Sequence, residues 1–200
     1  MIKRSLGLLL LVAFVTSAAF AQSAADKEKA LQYLESTKQG VIDATSGLSE
    51  AQWNFKPAPD RWSIAEVTEH IAAAEDFLRG NISENVMKAP ARPAGEDVAS
   101  IDDLVRAKVP DRTKKVQAPE PLKPTNRFGS PDASLKHFLE SRQLTEDFLK
   151  QHNDLRDHAS DSPFGKKLDA YEWVLFAAGH SERHTKQILE VKADPNFPKM

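Results

Sequence analysis

The chain has 200 residues, which is enough for one domain with a substantial buried core. It contains no cysteine, which excludes disulfide bonds, a thiolate nucleophile and sulfur ligands for a metal. The formal net charge of −2 gives no electrostatic reason to bind nucleic acid, so we expect no nucleic-acid partner.

The N-terminus has the three regions of a secretory signal peptide. Lys3 and Arg4 precede a short apolar stretch, and an A-x-A cleavage signal ends at Ala21. The stretch is short for a membrane-spanning helix, and an uncleaved N-terminal anchor is the alternative interpretation. We therefore predict a signal peptide over residues 1–21 and an exported domain, periplasmic or secreted, over residues 22–200. After cleavage we expect no stable membrane insertion.

Two helices are predicted in the first half of the exported domain. Apolar positions recur with helical spacing over residues 26–46. Residues 48–62 follow, and their prolines forbid a continuous helix. The second helix begins at a capping box formed by Ser63 and Glu66, and we expect it to end near residue 87.

A long connection follows this second helix. Residues 89–129 hold six of the twelve prolines of the chain, and residues 100–108 are predicted to form a short helix. A connection of this length is either a loosely packed crossover between helices or a lid that covers a substrate. The absence of an aromatic cluster and of a glycine hinge favours the crossover.

The second half of the domain supplies two more helices. One begins near Ser130 and ends at His152. Residues 153–168 are predicted to be a polar loop, since no hairpin or strand pattern appears. The last helix begins at a capping box that starts at Asp169 and runs to about Val191. Four main helices without predicted strands indicate an all-α protein, namely a four-helix bundle.

Three histidines are the main candidates for a functional site. His180 and His184 are one helical turn apart, so both imidazoles project from one face of the last helix. His70 lies on the edge of the apolar stripe of the second helix. Together they would form a three-nitrogen metal site with an open position. The alternative is that these histidines are packed in the core without a metal, although burying unpaired imidazoles is costly.

The other polar residues near these helices have structural interpretations. Glu66 is one turn before His70 and could orient it or bind a metal, but its capping role already explains it. Glu69 and Glu75 are expected to face solvent. The remaining histidines are expected to be solvated and without a role: His137, His152 and His158. The sequence contains no H-E-x-x-H motif, P-loop or G-x-G-x-x-G motif, so no catalytic residue is assigned.

Residues 55–70 resemble the signature of the DinB-like superfamily. Members of that family carry a P-x-x-x-W-S-I-x-E-x-x-x-H stretch at the second helix and a late H-x-x-x-H pair. The early pattern is filled by Pro57, Trp62, Ser63, Ile64, Glu66 and His70. His180 and His184 fill the late pattern, and the resemblance covers roughly residues 26–192.

The resemblance implies an up-down-down-up four-helix bundle. It also implies that His70, His180 and His184 bind a divalent metal cation, most often zinc or nickel. The family includes thiol-dependent transferases, such as bacillithiol transferase-like proteins, and maleylpyruvate isomerase-like enzymes. A small-molecule substrate and a homodimer are further implications of the resemblance.

Two functions follow as hypotheses. One is a metal-dependent enzyme, with transferase, isomerase or hydrolase chemistry on a small molecule. The other is a non-catalytic exported bundle that binds a metal or a small ligand. The second hypothesis is motivated by the lack of an evident general acid or base beside the three histidines.

Overall fold

The computed structural model describes the backbone of residues 5–199 and the side chains of residues 24–199. The predicted signal peptide, residues 1–21, lies outside the part with described side chains and stays a prediction. The secondary-structure elements in chain order are α1 (Ser5–Thr45), α2 (Glu50–Asn54), α3 (Ile64–Glu84), α4 (Val98–Lys108), α5 (Pro131–Gln151), β1 (Ala159–Asp161), β2 (Lys167–Asp169) and α6 (Ala170–Lys192). Within the described residues, no helix has both the length and the apolar character needed to cross a bilayer.

Helix α1 packs against α6 and α5, which run in opposite directions. The last turns of α1 and α6 meet, where Lys192 Nζ donates to the carbonyl of Ala44. These two helices are therefore parallel. The last turn of α5 lies beside a much earlier part of α1, because Lys27 Nζ donates to the carbonyl of Lys150. Helices α1 and α5 are therefore antiparallel.

Helix α3 completes the bundle between α5 and α6. His70, in the first half of α3, meets His184 in the second half of α6. Further along α3, Glu75 is joined through an arginine side chain to Ser181, which comes earlier in α6. Helices α3 and α6 are thus antiparallel, and α3 is parallel to α5. This arrangement confirms the predicted all-α fold, an up-down-down-up four-helix bundle.

The predicted helix starts are confirmed by their hydrogen bonds. Ser63 Oγ accepts from the backbone N–H of Glu66, and the Glu66 carboxylate accepts from the backbone N–H of Ser63. Asp169 and Glu172 form the same reciprocal pair at the start of α6. Ser130 caps α5. Each capping side chain satisfies a donor that the first helical turn leaves unpaired, which fixes where the helix begins.

One short element adds to the sequence-based expectations, and another corrects them. Helix α2 lies within residues 48–62, where a capping box between Ser49 and Gln52 begins a helix that ends before the prolines. Residues 153–168 are not only a polar loop, because β1 and β2 pair as an antiparallel hairpin. Both elements are too short to produce a clear apolar periodicity in the sequence.

A buried ion pair lies where all four long helices meet, and it corrects the expectation that Glu75 faces solvent. Glu75 and Arg142 are almost fully buried, and the guanidinium donates to both carboxylate oxygens at 2.9 and 2.8 Å. Arg142 also donates to the carbonyl of Leu34 in α1 and to Ser181 Oγ in α6. The arginine belongs to the inward face of α5, so a buried carboxylate is needed to balance its charge.

Candidate metal centre

Helices α3 and α6 bring the three predicted histidines together. The Nε2 atom of His70 lies 3.3 Å from that of His180 and 3.1 Å from that of His184. The Nε2 atoms of His180 and His184 are also 3.1 Å apart. All three nitrogens therefore point at one position between the two helices, and each residue offers one ligand atom.

The spacing of these nitrogens fits a divalent metal. Metal–nitrogen distances of about 2.0–2.1 Å in a tetrahedral site place two imidazole nitrogens about 3.3–3.4 Å apart. The observed separations of 3.1–3.3 Å are close to that value. Three histidine ligands without sulfur suit zinc or nickel and leave a coordination position for water or a substrate.

Hydrogen bonds assign the proton of the His70 ring. Its Nδ1 lies 2.8 Å from the carbonyl oxygen of Leu122. A carbonyl can only accept, so Nδ1 carries the hydrogen of the neutral ring and Nε2 carries a lone pair. Burial lowers the pKa of His70, which favours this neutral form.

The His184 ring has the same tautomer. Its Nδ1 lies 2.8 Å from Oε1 of Gln187. Arg112 Nη1 donates to the same oxygen at 3.3 Å, which fixes the orientation of the amide because a guanidinium only donates. Nδ1 of His184 is therefore the donor, and its Nε2 presents a lone pair. Burial lowers the pKa values of His180 and His184 well below the ordinary value.

The nitrogens of His70 and His184 thus face each other as two acceptors, 3.1 Å apart and without a proton of their own. At most one Nε2–H, that of His180, lies among the three converging nitrogens. A cation between them removes this conflict, and the Nδ1–H bonds are those that metal-ligating histidines make in proteins. The donor set of this structure therefore fits a metal ion.

The three histidine residues are buried to different degrees. His70 and His184 are 3% and 7% exposed, whereas His180 is only partly buried. The Trp62 ring packs against the His70 ring, with centroids 5.0 Å apart, and covers another side. The imidazoles are therefore held in a largely dry environment, and His180 is the least buried of the three residues.

Residues 109–127, here called the strap, lie between α4 and α5 in the chain and contact both helices that carry the histidines. At the α6 end, Arg183 donates to the carbonyls of Asp111 and Lys114. At the α3 end, Leu122 accepts from His70 and its side chain packs on Ala73 and Ala74. The strap is thus anchored to α6 at one end and to α3 at the other, whereas most of residues 113–121 are exposed.

Glu69 is a functional candidate that the sequence interpretation missed. It is 5% exposed, whereas solvent exposure was expected. Its carboxylate accepts from three consecutive backbone N–H groups, those of Thr125, Asn126 and Arg127, at 2.7–3.1 Å. Burial alone would raise the pKa of Glu69, but these hydrogen bonds outweigh burial and lower it. Its partners lie about 56 residues away in the chain, so local periodicity gave no signal.

Glu66 has the structural role that its capping box predicts. One oxygen accepts from the backbone N–H of Ser63 at 2.7 Å, and the other accepts from Lys56 Nζ at 2.9 Å. Both oxygens of its carboxylate are therefore engaged at the start of α3, which supports the interpretation of Glu66 as a cap.

The other three histidines have separate partners. His137 was expected to be solvated, but its Nε2 lies 2.6 Å from Asp76 and its ring stacks on Phe128. His158 Nδ1 donates to the carbonyl of Ala89 at 2.6 Å. His152 lies at the end of α5, as predicted. None of them belongs to the three-histidine group within the described residues.

Comparisons with known proteins agree with this fold. The sequence model of the DinB superfamily matches residues 33–188, a range that includes all three histidines. YuaE of Bacillus subtilis (strain 168), an uncharacterized protein, is 28% identical over 148 residues, which are 73% of this chain and 86% of YuaE. The structure of YfiT from Bacillus subtilis, described as a probable metal-dependent hydrolase with an unusual four-helix bundle topology, is similar with a TM-score of 0.53. That match has 16% identity and covers 86% of this chain and 89% of YfiT.

Proposed function

The chain belongs to the DinB superfamily, and we propose that it is a metal-dependent protein. One divalent ion, zinc or nickel, is bound by His70, His180 and His184. The observation that carries this proposal is the convergence of three Nε2 atoms of which at least two are lone-pair donors. Such an arrangement is unfavourable without a cation and favourable with one.

The proposed activity is transfer, isomerisation or hydrolysis of a small molecule. A bound divalent ion supplies Lewis acidity, which lowers the pKa of a coordinated water or polarises a carbonyl group. The chain itself holds the three imidazoles as neutral ligands and keeps water away from His70 and His184. His180 is the least buried of the three residues, which favours its side of the centre for the approach of a small molecule. The description of YfiT, which has the same fold, supports the hydrolase class.

A non-catalytic binding bundle is the second candidate, and one observation favours it. In the described part of the chain, the partners of the His70 and His184 ring nitrogens are other histidines, a carbonyl and an amide. The nearby carboxylates of Glu66 and Glu69 are engaged in capping and in holding the strap. No general acid or base is therefore evident beside the centre. Metal binding without turnover in a substrate screen would favour this candidate.

Elemental analysis tests the metal proposal. The protein, purified without a His-tag, is compared with a His180→Ala/His184→Ala variant and with a His137→Ala/His152→Ala control. We expect near one metal per chain in the native protein and in the control, and none in the first variant. Absence of metal from the native protein after reconstitution with zinc, nickel and manganese would overturn the proposal, as would full retention by the His180→Ala/His184→Ala variant.

We further propose that the protein is exported, that it forms a homodimer and that it acts on or binds a small molecule. Export is supported by the basic, apolar and A-x-A regions of residues 1–21. N-terminal sequencing of protein recovered from outside the cytoplasm checks it, with Gln22 expected as the first residue. The weakly acidic composition supports the absence of a nucleic-acid partner.

A further inference from the structure

Glu69 organises the end of the strap through a cluster of hydrogen bonds. The N–H groups of Thr125, Asn126 and Arg127 converge on its carboxylate, and Arg127 Nε adds a fourth hydrogen bond at 3.2 Å. Asn126 adopts a positive φ of 60°, which an asparagine tolerates better than most residues. Successive backbone N–H groups around one anion form a nest, so the carboxylate is the centre on which this loop is built.

The same cluster holds the residue that contacts His70. The Arg127 guanidinium donates to the carbonyl of Pro121 at 3.0 Å and to that of Lys123 at 2.6 Å. These two carbonyls flank Leu122, whose own carbonyl accepts from His70 Nδ1 at 2.8 Å. Glu69 therefore fixes Arg127, and Arg127 fixes the peptide units on either side of the His70 partner.

Glu69 and His70 are also neighbours on α3. The carboxylate that binds the loop and the imidazole that meets the Leu122 carbonyl therefore move together with the helix. Glu69 therefore attaches the loop to α3 at the residue next to His70, whose ring the loop orients. The hydrogen bond that His70 Nδ1 donates to the Leu122 carbonyl of the strap sets the rotation of the His70 ring and selects the tautomer with a free Nε2.

We propose that Glu69 is a positioning residue for His70, acting through Arg127 and Leu122. Its carboxylate holds residues 125–127, which keeps the Leu122 carbonyl against His70 Nδ1 and so keeps Nε2 directed at His180 and His184. In treating Nε2 as a ligand atom, this inference rests on the proposed metal centre. The orientation and tautomer of His70, however, are properties of the protein before any metal is added.

The test compares Glu69→Gln with Glu66→Gln. Each substitution removes the charge of a carboxylate that lies on α3 and accepts from backbone N–H. Only the Glu69 carboxylate binds residues of the strap. The tautomer of His70 is measured by ¹⁵N NMR of the metal-free proteins, and zinc affinity is measured by competition with a chelator. In Glu69→Gln we expect His70 to lose its single Nδ1–H tautomer and zinc to bind about tenfold or more weakly. Glu66→Gln should keep the native tautomer and bind zinc within about twofold of the native protein.

A folded Glu69→Gln variant with the native His70 tautomer and native zinc affinity would overturn the proposal. If Glu69→Gln does not fold, Arg127→Ala provides the same test, because its side chain is partly exposed and bonds to the carbonyls beside Leu122. An unchanged His70 tautomer in Arg127→Ala would also overturn it. If the native protein binds no zinc but Glu69→Gln alters the tautomer, the metal proposal fails and the positioning role stands.

Discussion

His184 Nδ1 donates to Gln187 Oε1 at 2.8 Å, one turn further along the same helix. This bond corresponds to the one between His70 and the Leu122 carbonyl on the other side of the centre. Gln187 is held by Arg112 of the strap, which also forms two 2.7 Å hydrogen bonds with the Glu190 carboxylate. The strap thus contributes to the orientation of a histidine on each helix.

Replacing Gln187 should weaken metal binding through His184. Gln187→Leu removes the acceptor of Nδ1–H, so we expect the zinc Kd to rise about tenfold or more, while the fold is retained. Gln187→Glu is the matched control, because a carboxylate oxygen still accepts from both His184 and Arg112. It should bind zinc at least as tightly as the native protein. Equal affinities of Gln187→Leu and the native protein, measured by chelator competition, would show that Gln187 does not orient His184.

Sequence reasoning identified the long helices and the three histidines because both are encoded locally. Capping boxes at Ser63 and Asp169 and the i, i+4 spacing of His180 and His184 are visible within a few residues. The roles of Glu69 and Glu75 were not visible. A glutamate in a helix faces solvent by default, and the groups that bury these two are contributed by distant parts of the chain.

The charge balance of the core also depends on residues that are distant in the sequence. Arg142 lies on the inward face of α5, and only the packed bundle shows that Glu75 of α3 is its partner. The anchors of the strap were not visible for the same reason, since its proline content describes its local conformation and not the distant side chains that bind it. Periodicity therefore predicts which face of a helix is buried, whereas pairing of buried polar groups requires the fold.

Zinc affinity should stay constant to a lower pH than in a site of ordinary histidines. Protons compete with a metal for imidazole nitrogen, so binding normally weakens as the pH falls through the histidine pKa of about 6.5. Burial lowers the pKa of His70, His180 and His184, so all three stay neutral below that pH. We expect the Kd to be nearly constant from about pH 8 to about pH 6.5 and to rise only at more acidic pH. A rise of about fivefold or more between about pH 7.5 and about pH 6.5, which is roughly what three ordinary imidazoles would give, would contradict this expectation.

Replacing one member of the buried ion pair should lower the free energy of unfolding more than replacing both members. Glu75→Met leaves Arg142 buried without its carboxylate, and we expect the free energy of unfolding to fall by about 3–5 kcal/mol. In Glu75→Met/Arg142→Met no uncompensated charge remains, so the loss should be smaller than in the single variant. Urea denaturation measures both. A double variant that is less stable than Glu75→Met would mean that the other hydrogen bonds of Arg142 outweigh the charge effect.

The central claim is that His70, His180 and His184 bind one divalent metal through their Nε2 atoms. Anomalous scattering at the zinc or nickel absorption edge, from crystals of the metal-loaded protein, tests it most directly. The account predicts one strong anomalous peak between α3 and α6, about 2.0–2.1 Å from each of the three Nε2 atoms. A peak at another site, or three histidines that keep their positions with no peak between them in crystals soaked with either metal, would contradict it.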